Sequence, residues 1–373
     1  MQPLCEHAVV ITVDFVVIGA GIAGASVAYE LAAWGKVLLL EREAIPGYHT
    51  TGRSAAMFTE AYEVEDIREL TKASRSFLEH PPEGFTDVTL LSPMQALFVG
   101  RDDQLDSLDD KLQRSGGIVH RVTAGEAIDL CPVLRPGYVA GAILEPNAQA
   151  IDVHALHQAY LHGLRRRGGR LLVGAEVLSL SRAATWEVTT PRGIIEAPVV
   201  VDAAGAWADG VARMAGSRSL GLTPLRRTAF TFGPFPEIDS RPWPIVFDAD
   251  EAFYFKPDGP RILGSPCDET PLEPCDVRHE ELDVAIAIER IQAATTLTIR
   301  HVPNAWAGLR TFAPDRKPVV GWDPDVPGFF WLAGQGGFGI MTSPAMARTA
   351  AGLITGSPVP TGISPDHLSP NRF

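Results

Sequence analysis

Between Phe15 and Glu41 the chain passes through three hydrophobic patterns in a fixed order. Phe15-Val16-Val17-Ile18 is an unbroken apolar run, which predicts a strand buried on both faces. Gly19-Ala20-Gly21-Ile22-Ala23-Gly24 interrupts it. From Ile22 to Ala33 the apolar positions recur at helical spacing, with Ala23, Val27, Ala28 and Leu31 on one side and Gly35 as the stop. Val37-Leu38-Leu39-Leu40 then returns as a second buried strand ending in Glu41.

Strand, glycine turn, helix, strand and terminal acid form a unit suited to the ADP half of a dinucleotide. Gly19 permits the tight turn, Gly21 lets the backbone approach a pyrophosphate, and Gly24 allows close helix–strand packing. The helix N-terminus offers N–H groups and a positive dipole end to phosphate. Glu41, about 20 residues on, is placed to accept ribose hydroxyls, and its charge disfavours a 2′-phosphate.

Further along, Glu65 to Leu78 reads as a helix with Ile67, Leu70, Phe77 and Leu78 on one side, ended by Pro81-Pro82. Leu97-Phe98-Val99 and Ala142-Ile143-Leu144 read as strands flanking an acidic helix near 102–114. Asp152 is an N-cap for an amphipathic helix reaching Arg167, and Arg170 to Val173 returns as a strand. Val199-Val200-Val201-Asp202 is a buried strand ending in the small residues Ala203-Ala204-Gly205. Residues 225–300 are proline-rich and β-patterned. Phe329 to Gly334 is a last strand, followed by a second glycine turn at 335–340 and a small-residue helix.

Length, charge and cysteines narrow the class. A chain of 373 residues exceeds one core and predicts two domains. A formal charge of −13 excludes a nucleic-acid binder and a polybasic membrane adherent. Cys5, Cys131, Cys267 and Cys275 form no CxxC pair and no zinc spacing, so free thiols and no metal are expected. The N-terminal apolar run leads into the first strand, so no signal or transmembrane segment is expected and the location is cytoplasmic.

Three nucleotide-type turns, at Gly19, Gly205 and Gly336, lie far apart with β-rich insertions between them. A simple NAD dehydrogenase completes its nucleotide domain contiguously; a long FAD molecule touched by distant segments suits this spacing better. The motifs GAGIAGAS (19–26), LERE (40–43), TGRSAA (51–56), DAAGAWAD (202–209) and GQGGFGI (334–340) resemble the D-amino acid oxidase superfamily of FAD-dependent oxidoreductases. Within it, PGYHTTGRSAAMFTEAY (46–62), FYFKPD (253–258), TTLTIR (295–300) and WAGLRTF (306–312) are most similar to the D-arginine dehydrogenase branch.

The resemblance implies an α/β fold: a Rossmann-like FAD-binding domain of the glutathione-reductase type and a discontinuous, β-rich α+β substrate domain. The expected division is 1–88, 150–224 and 301–373 for the first and 89–149 and 225–300 for the second. It implies FAD contacts at Gly19, Gly21, Ile22, Ala23, Gly24, Glu41, Arg42, Thr51, Arg53, Ser54, Ala56, Val177, Ala204, Gly205 and Trp207. The second turn adds Gly336, Gly337, Phe338, Gly339, Ile340 and Met341. Some relatives anchor flavin covalently through a cysteine shortly before a Pro-Asp; the comparable stretch Gly308 to Asp315 has none, which implies non-covalent FAD.

Oxidising an amino acid by hydride transfer requires an anchored carboxylate and a Cα–H aimed at flavin N5. Arg227 and Arg310 match the family's carboxylate-binding arginines, a residue type whose fork fits two oxygens. Arg226 should face the other side of its strand. Tyr254 matches a substrate-contacting tyrosine and Tyr62 a lid tyrosine, while His49 is expected to be structural. Where the D-arginine dehydrogenase pattern has a histidine, a glutamate and a glutamine, this chain has Met57, Ala96 and Met341, which with Gly337 would line the side-chain pocket. Burying a guanidinium there without a carboxylate is unfavourable. The expectation is oxidative deamination of neutral or hydrophobic D-amino acids to imino acids, which hydrolyse to 2-oxo acids and ammonia. The electron acceptor is left open between a quinone, a dye-like acceptor and oxygen. The alternatives are an FAD-dependent oxidase of sarcosine, glycine or another secondary amine, a non-catalytic flavin-binding protein, and an NAD-dependent dehydrogenase.

Overall fold

The computed structural model describes residues 10–62 and 64–373; Cys5 lies outside them. The apolar run Phe15–Ile18 lies inside a six-stranded sheet ordered Arg170–Leu172, Val37–Leu40, Phe15–Ile18, Val199–Asp202, Phe329–Ala333, Val319–Trp322. The first five strands are parallel, and Val319–Trp322 closes the edge antiparallel. Because both faces are covered, successive residues alternate between two apolar cores. Val17, Leu39, Val201, Phe330 and Leu332 pack with the helices Ile22–Leu31, Val153–Arg166 and Gly339–Thr355. Val16, Leu38, Val200, Phe329 and Trp331 pack on the other side, against the sheet containing Ser179–Arg182, Trp186–Thr190 and Gly193–Ala197. This double burial is why these strands read as continuous hydrophobic runs. The Asp152 cap is present, its Oδ1 accepting the Ala155 N–H at 2.8 Å.

A nine-stranded sheet forms the second layer system. It runs Thr270–Pro271, Thr223–Phe232, Arg261–Ser265, Tyr254–Asp258, Ile245–Asp248, Ala96–Gly100, Gly141–Glu145, His120–Val122, with Asn304–Phe312 paired to Thr223–Phe232. Helix Glu281–Ala294 covers one face through Val284, Ala287 and Ile291. Ala96, Phe98, Ile143 and Ile245 pack on the other.

The strand Asn304–Phe312 departs from the expected division, which assigned 301–373 to the nucleotide domain. Its nine residues pair antiparallel with Thr223–Thr231 in the substrate sheet. The period-two pattern of this strand fits either sheet, and the partner is fixed by a long-range pairing that local sequence does not encode. The acidic segment 102–114 also begins as a 3₁₀ turn, Asp102–Gln104, before the helix Leu105–Arg114. The two sheets meet where Phe312 bridges Gln335 and the Gly336 N–H donates to the Thr311 carbonyl at 2.8 Å. Arg310 therefore stands at the junction, facing the second glycine turn. No helix among the described residues is long and apolar enough to cross a membrane.

Candidate active site

At this junction lies a cavity of about 590 Å³. One end is built from turns at the C-terminal edge of the six-stranded sheet, the usual place for ligands in open α/β sheets. Gly19 adopts φ 97°, and a Cβ there would stand 2.6 Å from the Ala203 carbonyl oxygen. Gly24 lies behind the cavity wall, where a Cβ would come 1.8 Å from the Gly19 carbonyl oxygen; its part is helix–strand packing. Glu41 accepts the Ala20 N–H at 2.9 Å and the Glu43 N–H at 2.9 Å, which fixes its carboxylate at the strand end. Thr51 Oγ1 accepts the Ile22 N–H at 3.0 Å and ties its loop to the glycine turn. His157, kept neutral by burial, donates from Nε2 to the Ala20 carbonyl at 2.9 Å.

The remaining expected cofactor residues, Gly21, Ala23, Arg42, Ser54, Ala56, Val177, Ala204, Gly205, Trp207 and Gly336 to Met341, line the same cavity. Arg53 lines it too, but its guanidinium is turned away. It donates to the Val277 and Ala307 carbonyls at 3.0 Å each and pairs with Asp276, so it ties the loop to the substrate sheet rather than offering charge to a phosphate. His49 is likewise committed, 2.9 Å from Glu43 and packed on Trp207. The fit to a long dinucleotide is supported by polar atoms without partners: Gln335 Nε2 and Thr311 Oγ1 are buried on cavity-lining residues and have no hydrogen bond.

The other end carries charge. Arg310 lines the cavity, and its guanidinium makes no hydrogen bond or ion pair among the described residues. Burial and the neighbouring Arg227 charge lower its pKa, so its cation stands in an unfavourable setting that an anion would relieve. Gly337 gives the guanidinium room, since a Cβ there would lie 2.0 Å from an Arg310 terminal nitrogen. Arg227 lines the cavity, while Arg226 points to the opposite side and is held by Asp268, Glu280 and Asp283, as the strand alternation required.

Tyr62 packs edge-on against Phe338, with ring centroids 4.7 Å apart. Burial pushes its phenol up to about 12, partly offset by Arg310, so it is a neutral donor. Burial also raises Tyr254, whose environment includes Cys267, Arg227 and Arg310. Met57 and Met341 line the cavity, whereas Ala96 sits one layer behind, packed in the cluster that contains Phe98 and Ile245.

Sequence reasoning did not single out Phe98, Lys111, Ile245, Phe247, Glu251, Cys267, Glu269, Thr311, Gln335 or Arg316, all of which line the cavity. Lys111 had a legible signal: it falls three residues after the buried Leu108 on the apolar stripe of its helix, and its ammonium lies 5.1 Å from the Phe98 ring centre. Cys267 adopts φ 56°, and burial pushes its thiol up to about 12; neither follows from local pattern.

YurR of Bacillus subtilis, an uncharacterized oxidoreductase, is 26% identical over 94% of this chain and 97% of its own length. Rat mitochondrial dimethylglycine dehydrogenase is 26% identical over 96% of this chain, which spans 45% of that longer protein. Among solved structures, glycine oxidase from Geobacillus kaustophilus superposes with a TM-score of 0.86, covering 97% of this chain and 99% of that one at 23% identity. L-proline dehydrogenase from P. horikoshii gives 0.85 with 98% coverage of each chain at 23% identity, so both share the fold. The family described as "DAO: FAD dependent oxidoreductase" matches residues 14–353. The chain belongs to this family of FAD dependent oxidoreductases.

Proposed function

We propose that the protein oxidises the C–N bond of a small amine that carries a carboxylate, of the glycine, sarcosine or N-alkylated glycine type. The observation that carries this reading is Arg310: a cavity-lining guanidinium without a partner, beside Arg227 and two neutral phenols. Such a group suits the two oxygens of a carboxylate in fixed geometry. The substrate types named for relatives agree, including dimethylglycine dehydrogenase and human sarcosine dehydrogenase at 25% identity over 88% of this chain.

In this reading Arg310 and Arg227 hold the carboxylate, Tyr254 donates to it, and Tyr62 with Phe338 excludes water above it. Bound FAD supplies the two-electron acceptor for the hydride leaving the carbon beside nitrogen. The segments around Gly19, Glu41, Thr51, Ala204 and Gln335 would hold it, and the absence of cysteine from Phe312 to Asp315 favours non-covalent attachment. Acid precipitation that releases all the flavin would agree with this; flavin retained on the denatured chain would refute it.

A second reading, deamination of neutral D-amino acids, is favoured by the apolar wall of Met57, Phe98, Ile245, Phe247 and Met341. That wall suits an apolar side chain; Lys111, which also lines the cavity, is paired with Glu251 at 4.0 Å. Anaerobic flavin reduction by glycine, sarcosine, dimethylglycine, D-leucine, D-phenylalanine and D-arginine separates the readings. Fastest reduction by an N-methylated glycine supports the first, and by a hydrophobic D-amino acid the second. A D-arginine optimum refutes both. Repeating turnover in air with peroxide detection then identifies whether oxygen is the acceptor.

A further inference from the structure

Arg310 is unpartnered, but Arg227 is not. Arg227 Nε donates to the Asp268 carbonyl at 2.9 Å, and its terminal nitrogen meets Glu269 Oε1 at 3.1 Å. Glu269 is shared: Arg316 reaches its two oxygens at 2.8 and 3.0 Å. All three side chains line the active-site cavity. Glu269 and Arg316 are 33% and 51% exposed, so the pair stands where the cavity meets solvent beside Arg227.

We infer that Glu269 is an exchangeable occupant of Arg227, which an incoming substrate carboxylate displaces and which then stays on Arg316. The inference rests on the reading of Arg227 and Arg310 as the carboxylate anchor. The Arg227 charge disfavours that of Arg310, so an anion on Arg227 stabilises the site before substrate arrives. A substrate carboxylate arriving on Arg227 and Arg310 repels the Glu269 carboxylate already on the Arg227 terminal nitrogen, which weakens that contact and leaves Arg316 as the better partner. Glu269 gives up one bond on exchange but keeps two to Arg316, so no carboxylate is stranded without a cation. Glu269 is thus a positioning residue that lowers the affinity of every carboxylate ligand equally, without touching the reacting carbon.

The test uses the holoenzyme and acetate, which carries the carboxylate but no amine. Acetate binding is followed by the change in flavin absorbance, and kcat and KM are measured for the best substrate. An exposed ion pair contributes about 0.2–1 kcal/mol, so Glu269→Gln should tighten acetate and lower KM about 1.5- to 5-fold with kcat unchanged. Arg316→Gln leaves Glu269 wholly on Arg227 and should weaken both, and the double variant should behave like Glu269→Gln alone. Unchanged or weaker acetate binding in Glu269→Gln overturns the inference, as does a double variant that keeps the Arg316→Gln weakening. Arg227→Met and Arg310→Met separate the two levels. If they retain acetate affinity, the anchor itself is wrong; if they lose it while Glu269→Gln is neutral, only the exchange is.

Discussion

Replacing Arg310 by methionine should move function and stability in opposite senses. The guanidinium stands among cavity-lining residues, with Gly337 making room for it and no partner among the described residues. Truncating one partner of a buried, hydrogen-bonded charge pair costs about 2–5 kcal/mol. If substrate supplies the missing carboxylate, Arg310→Met should lower kcat/KM by about 30- to 5,000-fold. Methionine roughly keeps the volume of the aliphatic stem, and the lost cation was disfavoured by burial and by Arg227. The ligand-free fold should therefore melt at an unchanged or higher temperature. The assays are steady-state kinetics, acetate titration of the flavin spectrum, and thermal unfolding without ligand. An unchanged kcat/KM, or a sharp fall in melting temperature, refutes the reasoning, since either would mean that Arg310 holds the fold rather than the substrate.

Other expectations follow from the same geometry. Asp202 is fully buried, its Oδ1 accepts the Ala204 N–H at 3.1 Å, and its Oδ2 has no partner. Burial raises its pKa well above 3.8, so the folded chain holds a proton that the unfolded chain releases. Its contribution to stability is complete below pH 3.8 and declines by about 1.4 kcal/mol per pH unit until the folded pKa is passed. Asp202→Asn should remove that decline, so its gain in melting temperature grows with pH; a pH-independent difference would contradict this. Gly24→Ala places a methyl 1.8 Å from the Gly19 carbonyl oxygen, backbone against backbone, and should lose FAD, read as the visible absorbance of the purified protein. Gly337→Ala pushes on the flexible end of Arg310, 2.0 Å away, and should raise KM with kcat less affected. Tyr62, pushed up to about 12, stays a neutral donor through the working range. Tyr62→Phe keeps the ring that packs on Phe338 and should therefore leave kcat/KM within about 5-fold, without moving any inflection of the pH profile between 6 and 10; a shifted inflection would assign Tyr62 an acid–base part.

Much of the nucleotide half was legible because its signals are local. The apolar runs at Phe15, Val37, Val199 and Phe329 became neighbouring strands of one sheet, and the turns at Gly19, Gly205 and Gly336 line one cavity. The glycines carried their reason in sequence, since close backbone approach excludes any side chain. Arg227 and Arg310, singled out through their motif context, both line the cavity, and Arg226 was set apart by strand alternation alone. Ala96 was placed one layer too far forward, because a strand position gives the face but not the depth. Arg53 was expected to contact FAD and does line the cavity, yet the Val277 and Ala307 carbonyls claim its guanidinium from more than two hundred residues away.

The sequence by itself determined the strand–turn–helix–strand unit with Glu41 at its end, and it picked out Arg227 and Arg310, which line the cavity. Each of these is a property of contiguous residues, governed by periodicity and backbone sterics. Only the tertiary structure decided that Asn304–Phe312 joins the substrate sheet, which carries Arg310 to the junction opposite Gly337. It alone brought Glu269 and Arg316 beside Arg227, and left Arg310 as the unpaired cation of the cavity among the described residues. Pairings between distant strands and charges depend on which surfaces pack together, and no window of local sequence contains that information.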